Sequence, residues 1–379
     1  MDRNKFWYLV QNNSIDFRRF IPTLFDNIRV LLTNAHPDRG PLFAVWSVTS
    51  LCNLKCVFCD RWKGGGEGLG REGGELGPAE KAEIVKRLAH AGVWFLSFCG
   101  GEPLICKDLE GLVRSAKSYG MAVNISTNGL LLKERARSLI EAGADFITIS
   151  VDSDTAEEHD RARGYSGLFK KITEGIDEIR SCRKNTYIEI RCLVSGTNYM
   201  CLDGIAKTFA DKADCVSFKP IYENAGARYK VPEDMAVKPE NSESLRSYFS
   251  MLLEQNRRLD NIYHRYMPDF LLGEDPPEKH RRCYAGTFFA GIDHLGHLSP
   301  CQEMELTEET TNRNIINSDF IDIWRGDTFT KTRTIFKESV PCKCWMDRMR
   351  LNMDMAAAMA PVEKFFGIRH DKKKAPPVL

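Results

Sequence analysis

The chain has 379 residues, which exceeds one ordinary small domain and fits a large α/β domain with an appendage. Hydrophobic residues make up 43% and charged residues 28%, which allows a sizeable core, and a formal net charge of +1 argues against a nucleic-acid partner. Residues 1–11 lack the basic and apolar regions of a secretory signal, and no apolar run approaches the ~20 residues of a membrane span. In a reducing compartment the 13 cysteines suit metal ligation or burial better than disulfides. We therefore expect a cytoplasmic protein without membrane association.

The predicted elements begin with an amphipathic helix over Ser14–Asn34, which contains Pro22. Its apolar stripe favours packing on the main domain and leaves open a membrane-surface or substrate-covering role. From Leu42 onward, predicted strands and helices alternate. The predicted strands are Phe43–Val48, Trp94–Phe98, Ala122–Ser126, Phe146–Val151, Tyr187–Val194 and Cys215–Pro220. The predicted helices between them are Pro78–Ala91, Leu109–Tyr119, Lys133–Ala142, Phe169–Arg180 and Asp203–Asp211.

Six apolar strands that alternate with helices indicate a parallel sheet covered by helices. In such folds, binding sites lie beyond the carboxyl ends of the strands. Residues 64–76 are rich in Gly, Glu and Arg and are predicted to form a loop. Further helices are expected around Glu243–Leu259 and Met346–Phe366.

A cluster of three cysteines follows the first predicted strand directly. Cys52, Cys56 and Cys59 form a C-x3-C-x2-C pattern. Three thiolates from one short loop can bind three irons of a [4Fe–4S] cluster, which leaves the fourth iron open to a chelating ligand. A zinc site is the alternative, but the nearest candidates for a fourth ligand, Asp60 and His90, are poorly spaced.

This loop, with the aromatic Phe58 before its last cysteine, resembles the signature of the radical S-adenosylmethionine (SAM) superfamily. The resemblance implies that SAM binds the open iron through its amino and carboxylate groups. It further implies that one electron from the cluster cleaves SAM to methionine and a 5′-deoxyadenosyl radical, which abstracts a substrate hydrogen. The implied fold is a partial (β/α)6 TIM-like barrel, and the implied partners include an external electron donor such as a flavodoxin or ferredoxin.

Two polar motifs that follow later strands strengthen this resemblance. Gly100, Gly101 and Glu102 follow the second strand and resemble the G-G-E-P element that contacts the SAM amino group in that family. Glycines let the backbone approach a ligand closely, and a carboxylate can accept hydrogen bonds from an ammonium. Ser126 and Asn128 follow the third strand and resemble residues that reach the SAM ribose or carboxylate, although a turn that caps the next helix remains the alternative.

The ends of the fourth and fifth strands supply three more candidate SAM ligands. Ser150 and Asp152 resemble an S-x-D element of the family, and Asp152 is predicted either to bind ribose or substrate or to cap a helix. A charged residue inside a barrel is costly unless it is paired. We therefore expect Arg191 to meet a carboxylate of SAM or substrate, or to pair with Glu189 or Asp152. Lys219 is a weaker candidate of the same kind.

A second group of cysteines lies beyond the barrel. Cys283 and Cys301 form a C-x12-G-x4-C element around Gly296, and Cys342 and Cys344 follow later. The element resembles the SPASM or twitch auxiliary-cluster extension of radical SAM enzymes, which implies one auxiliary [4Fe–4S] cluster held by four thiolates. The C-x-C spacing of the second pair departs from that pattern, and a structural zinc site is the alternative.

Together these features predict five segments and leave the substrate open. The segments are a helical extension at 1–41, a radical SAM core at 42–225, a helical linker at 226–279, an auxiliary-cluster domain at 280–345 and a C-terminal helix with a basic tail at 346–379. Oxidation or rearrangement of a small metabolite, with the auxiliary cluster taking the second electron, is the favoured activity. A peptide or protein maturase is the second hypothesis, which the short segment before Leu42 disfavours because it offers little room for a leader-binding domain. A non-catalytic iron–sulfur carrier is the third, and it would need neither an open iron nor the Gly-Gly-Glu element.

Overall fold

The structure is a computed structural model. It describes residues 3–12, 14–60, 62, 74–183, 185–222, 231–256, 259–274, 283–301 and 313–338. The strands are β1 Phe43–Thr49, β2 Phe95–Gly100, β3 Ala122–Thr127, β4 Phe146–Ser150, β5 Tyr187–Val194, β6 Cys215–Pro220, β7 Phe289–Ile292 and β8 Leu298–Ser299. The helices up to β6 are α1 Arg3–Gln11, α2 Phe17–Thr33, α3 Pro78–His90, α4 Leu109–Ser118, α5 Leu132–Ala142, α6 Ala156–Arg163, α7 Leu168–Cys182 and α8 Leu202–Thr208. Those after β6 are α9 Ser242–Gln255, α10 Ile262–Arg265, α11 Met267–Leu271, α12 Phe320–Arg325 and α13 Asp327–Glu338.

The strands form one eight-stranded sheet in the order β6-β5-β4-β3-β2-β1-β7-β8. Every pairing is parallel except that between β7 and β8. Side chains from β1 through β7 line one cavity, so the sheet curves around a lumen. The predicted partial (β/α)6 barrel is confirmed, and β7, which the sequence analysis did not predict, extends its sheet beside β1.

Alternation along the strands separates an apolar outer face from a polar lumen. The outward side chains pack against α3, α4, α5 and α7 in the main hydrophobic core, and they include Trp46, Phe98, Ile125, Ile149 and Ile190. The intervening positions face the lumen and carry polar groups, and they include Ser97, Asn124, Ser150, Glu189 and Ser217. Because side chains alternate with a period of two, the same short strands build both the core and the site.

Two N-terminal helices close the end of the barrel at which the strands begin. α1 was not predicted, and its Leu9 lies in a second apolar cluster with Trp94, Phe146 and Tyr187 from the strand starts. The helix predicted over 14–34 forms as α2, which begins after Asp16. The Asp16 side chain accepts a hydrogen bond from the backbone N–H of Arg18 and thereby caps the helix.

The chain beyond β6 adds helices and the β7–β8 hairpin. The helix predicted over 243–259 forms as α9. Within the part of the chain that the structure describes, no helix has the length and apolar character required to cross a bilayer. Residues 64–73 of the predicted loop, Cys342, Cys344 and the predicted helix over 346–366 lie outside the described residues.

Candidate active site

A cavity of about 370 Å³ lies within the barrel, and its lining runs from the strand starts to the turns after the strands. Its size is that of a small-molecule site. Most predicted site residues line this cavity, namely Cys52, Cys56, Cys59, Gly100, Gly101, Glu102, Ser126, Asn128, Ser150 and Arg191. Asp152 does not line it, and Cys283 and Cys301 lie elsewhere.

The three cysteines of the first cluster face the cavity from the loop after β1. Burial raises the pKa of the Cys52 thiol. Burial also raises the pKa of the Cys56 thiol to about 11, against the opposing effect of the nearby Arg163 guanidinium. Thiolates in so buried a setting need positive charge close by, such as iron would supply.

The Gly-Gly-Glu turn after β2 is fastened to the start of the cysteine loop. The N–H of Gly101 donates to the carbonyl of Thr49 at 2.9 Å, and the N–H of Glu102 donates to that of Leu51 at 2.7 Å. A Cβ on Gly101 would lie 1.9 Å from the Leu51 carbonyl oxygen. Gly100 has a φ of +139°, and a Cβ there would lie 2.3 Å from the Thr49 carbonyl oxygen. Glycine is therefore required because one backbone passes directly against the other.

The Glu102 carboxylate joins the turns that follow β2 and β3. It accepts hydrogen bonds from the backbone N–H of Leu104 at 3.0 Å, the Thr127 hydroxyl at 2.6 Å and the backbone N–H of Asn128 at 2.7 Å. Burial raises the pKa of Glu102 to about 7, although these bonds oppose the shift. The side chain of Asn128 in turn donates to the Asn53 amide oxygen at 2.8 Å, which ties this turn to the cysteine loop.

Ser126 and Ser150 face the cavity, whereas the carboxylate of Asp152 is held by protein groups. Asp152 Oδ2 accepts a hydrogen bond of 2.7 Å from Nε of Arg163, and Oδ1 accepts one of 2.9 Å from the backbone N–H of Leu193. Its own N–H donates to Nδ1 of His159 at 3.1 Å. The sequence analysis missed Arg163, which lines the cavity at the end of α6. The following Gly164, a helix-ending residue, was the available signal.

A polar network forms the floor of the cavity. Glu189 binds Lys5 of α1 at 2.5 Å, the Arg191 guanidinium at 3.0 Å, the Ser217 hydroxyl at 2.6 Å and the Thr148 hydroxyl at 2.8 Å. Burial disfavours charge on Glu189, yet Arg191 and Lys5 hold its pKa well below the usual value. Of the alternatives for Arg191, the pairing with Glu189 is present.

The donor set fits a polynuclear cluster with one open position. Three thiols from one loop share a cavity wall, and the Gly-Gly-Glu turn lines the cavity beside them. Across the described ranges, no three His, Cys, Asp or Glu side chains converge as the ligands of one metal ion would. In a [4Fe–4S] cluster each thiolate binds a different iron, so its ligands are not required to meet at one point.

Two cysteines of the second group lie in one small apolar cluster. Cys283 and Cys301 pack there with Ala285 and Phe336. The backbone N–H of Cys283 donates to the Phe336 carbonyl at 3.5 Å, which ties the segment that carries Cys283 to α13. The fold thus brings together two of the four predicted auxiliary ligands.

Comparison with known proteins matches the Radical SAM superfamily over residues 46–206. The chain is 28% identical over 333 residues to an AdoMet-dependent heme synthase of Methanosarcina barkeri, covering 83% of this chain and 89% of the relative. It is 37% identical over 131 residues to a probable GTP 3',8-cyclase of Methanocella arvoryzae, and this match covers 35% of the chain but only 41% of that relative.

Among solved structures, SuiB of Streptococcus suis has a similar fold in its SAM-bound and precursor-peptide-bound forms. The TM-score is 0.59 for both, with 17% and 18% identity, over 81% and 80% of this chain and 71% and 69% of SuiB. The segment that matches the Radical SAM superfamily, residues 46–206, contains the cysteine loop and the Gly-Gly-Glu turn. It also contains most of β1 and all of β2 through β5. Residues 46–206 therefore form a radical SAM domain, and the enzyme relatives support an enzyme.

Proposed function

We propose that the chain binds a [4Fe–4S] cluster through Cys52, Cys56 and Cys59 and uses it to cleave SAM reductively. The observation that carries this proposal is that these three thiols line the same cavity as the Gly100-Gly101-Glu102 turn. When bound, the cluster and SAM supply a 5′-deoxyadenosyl radical that takes a hydrogen atom from the substrate.

The residues around this cavity have different roles in binding the cluster and SAM. Gly101 lets the Leu51 carbonyl at the start of the cysteine loop approach closely. Glu102 joins the turn after β2 to the turn after β3. Ser126 and Ser150 present hydroxyls to the cavity, which suit the polar groups of SAM. Asn128 contributes mainly by fixing Asn53 in the cysteine loop.

We propose that the substrate is a small anionic metabolite that undergoes net oxidation or rearrangement. Among the described residues that line the cavity, four cations outnumber the two carboxylates of Glu102 and Glu189; the cations are Lys5, Arg163, Arg191 and Lys219. The charge balance of these side chains favours an anion. The relative matched over 333 residues is named for heme synthesis, and the one matched over 131 residues is named for GTP cyclisation. Both are reactions of small molecules. The second electron of an oxidation would pass to an auxiliary cluster at Cys283 and Cys301, and an external flavodoxin or ferredoxin would supply the first.

A peptide substrate is the second candidate, and the fold likeness to peptide-bound SuiB is what favours it. It would use the same cluster and the same cavity. Peptides are therefore tested as substrates beside the small molecules.

The experiment is SAM cleavage by the full chain, reconstituted anaerobically and reduced with dithionite. We expect 5′-deoxyadenosine from the wild type and none from Cys56→Ala, while Cys182→Ala on the outer helix α7 retains it. Deuterated candidates, namely tetrapyrrole carboxylates, nucleotides and peptides, then report the substrate by deuterium transfer into 5′-deoxyadenosine. Wild-type protein with an intact cluster that cleaves no SAM would contradict the proposal.

A further inference from the structure

We propose that Arg163 is a positioning residue for the iron–sulfur cluster, which fixes the Cys56 ligand and supplies a positive charge that raises the midpoint potential of the cluster. The inference rests on the function proposed above, since it requires a cluster at Cys52, Cys56 and Cys59. It assigns a role to a buried cation that no sequence motif had marked.

The guanidinium of Arg163 is held between a carboxylate and the cysteine loop. It donates from Nε to Asp152 Oδ2 at 2.7 Å and lies 5.1 Å from the centre of the Phe58 ring, in the cavity lining that it shares with Cys56. Arg163 is only 9% exposed. A planar fork of donors can serve a carboxylate and a sulfur at the same time, which a lysine ammonium does less well.

The end of α6 is docked on the cysteine loop, so Arg163 has little freedom to move away. The N–H of Val57 donates to the carbonyl of Ala162 at 3.1 Å. Gly164 has a φ of +66°, and a Cβ there would lie 2.4 Å from the Lys55 carbonyl oxygen. Residues on both sides of Arg163 therefore contact residues on both sides of Cys56.

The charge of Arg163 lies at the cavity wall that the cysteine loop forms. Arg163, Cys56 and Phe58 line the same cavity, whereas Asp152, which pairs with Arg163, does not line it. A cluster held by the three cysteines would therefore face the guanidinium more directly than its counter-ion.

Reduction adds an electron to a cluster that already carries three thiolates. A cation in a dry site stabilises the extra negative charge, because Coulomb interactions are weakly screened there. Asp152 acts in the opposite sense. Removing the Arg163 charge should therefore lower the midpoint potential, whereas neutralising Asp152 should raise it. A role limited to holding the loop would not produce shifts of opposite sign.

The test is a redox titration of the anaerobically reconstituted full chain, measured without SAM and followed by the EPR signal that Cys56→Ala abolishes. Arg163→Gln, Arg163→Lys and Asp152→Asn are compared with the wild type. Arg183→Gln, which breaks a 2.7 Å ion pair with Asp214 near the strand starts, is the control. Omitting SAM separates an effect on the cluster from any contact with the cofactor.

At a fixed potential we expect the ratio of reduced to oxidised cluster to fall at least tenfold in Arg163→Gln, a shift of about 59 mV for one electron. It should rise in Asp152→Asn and stay nearer the wild-type value in Arg163→Lys and Arg183→Gln. Unchanged potentials, or shifts of the same sign in Arg163→Gln and Asp152→Asn, would overturn the proposal. If Arg163→Gln retains no cluster, the direction of the Asp152→Asn shift decides. Failure of the wild type to assemble the cluster would instead count against the proposed function.

Discussion

The backbone N–H of Glu102 donates a 2.7 Å hydrogen bond to the carbonyl oxygen of Leu51, the residue that precedes Cys52. This bond joins the turn after β2 to the loop after β1, across the edge where the two parallel strands end. The Glu102 side chain then binds the turn after β3. The cysteine loop is thus held by its neighbours, and its geometry depends on residues that do not bind iron.

The contact between Gly101 and Leu51 predicts that Gly101→Ala displaces the cysteine loop. A Cβ 1.9 Å from the Leu51 carbonyl oxygen forces the backbones apart. We expect a free energy of unfolding lower by about 1–3 kcal/mol and loss of the SAM-binding cluster. Gly111→Ala in α4 is the matched control, because its Cβ would meet nothing within 4 Å. That change should stabilise by about 0.5–1 kcal/mol. Equal iron content in the two variants would contradict this account.

The hydrogen bonds of Glu102 predict that Glu102→Gln lowers the free energy of unfolding, although the two side chains have the same shape. An amide nitrogen cannot accept the bond that the carboxylate accepts from the Asn128 N–H at 2.7 Å. One buried donor is left unsatisfied, at a cost of about 1–3 kcal/mol in unfolding free energy. We also expect weaker SAM binding, measured by calorimetry on the reconstituted protein. Glu174→Gln, on the surface of α7, should leave both quantities unchanged.

The sequence predicted the strands and the cavity-lining motifs because both follow from local pattern. Short apolar runs that alternate with helices indicated β1 through β6, and the cysteine and glycine patterns marked Cys52 and Gly101. The contacts of α1 and the pairing of β7 with β1 depend on segments distant in sequence, and no local pattern encodes them. Arg163 was missed because its approach to the cysteine loop depends on the docking of α6, and the following Gly164 marks only the end of that helix. The auxiliary ligand set stays a prediction, because Cys342 and Cys344 lie outside the described residues.

The ion pair between Lys5 and Glu189 predicts that Lys5→Met lowers the free energy of unfolding by an amount that depends on pH. Removing one partner of a buried pair should lower the free energy of unfolding at pH 7 by about 3 kcal/mol, with Arg191 left to hold the charge. Glu189 has a depressed pKa in the folded state, so its contribution is present above the unfolded value of 4.5 and is lost as pH falls through the folded value. The difference in the free energy of unfolding between wild type and variant should therefore become smaller as the pH falls. Urea unfolding between pH 3 and 7 measures this, with the exposed Lys133→Met as control. A difference that stays constant with pH would contradict it.

The clustering of Cys283 with Cys301 predicts that Cys283→Ser removes one auxiliary cluster and spares the SAM-cleaving one. Wild-type protein should hold about eight irons and the variant about four, because each [4Fe–4S] cluster contributes four. Single-turnover cleavage of SAM should persist, since Cys52, Cys56 and Cys59 remain. Cys182→Ser is the matched control, because that thiol donates to the Glu178 and Ile179 carbonyls of its own helix α7, at 3.1 and 3.7 Å, and the variant should retain all the iron. About four irons plus zinc in the wild type would show that the second site is a structural zinc centre.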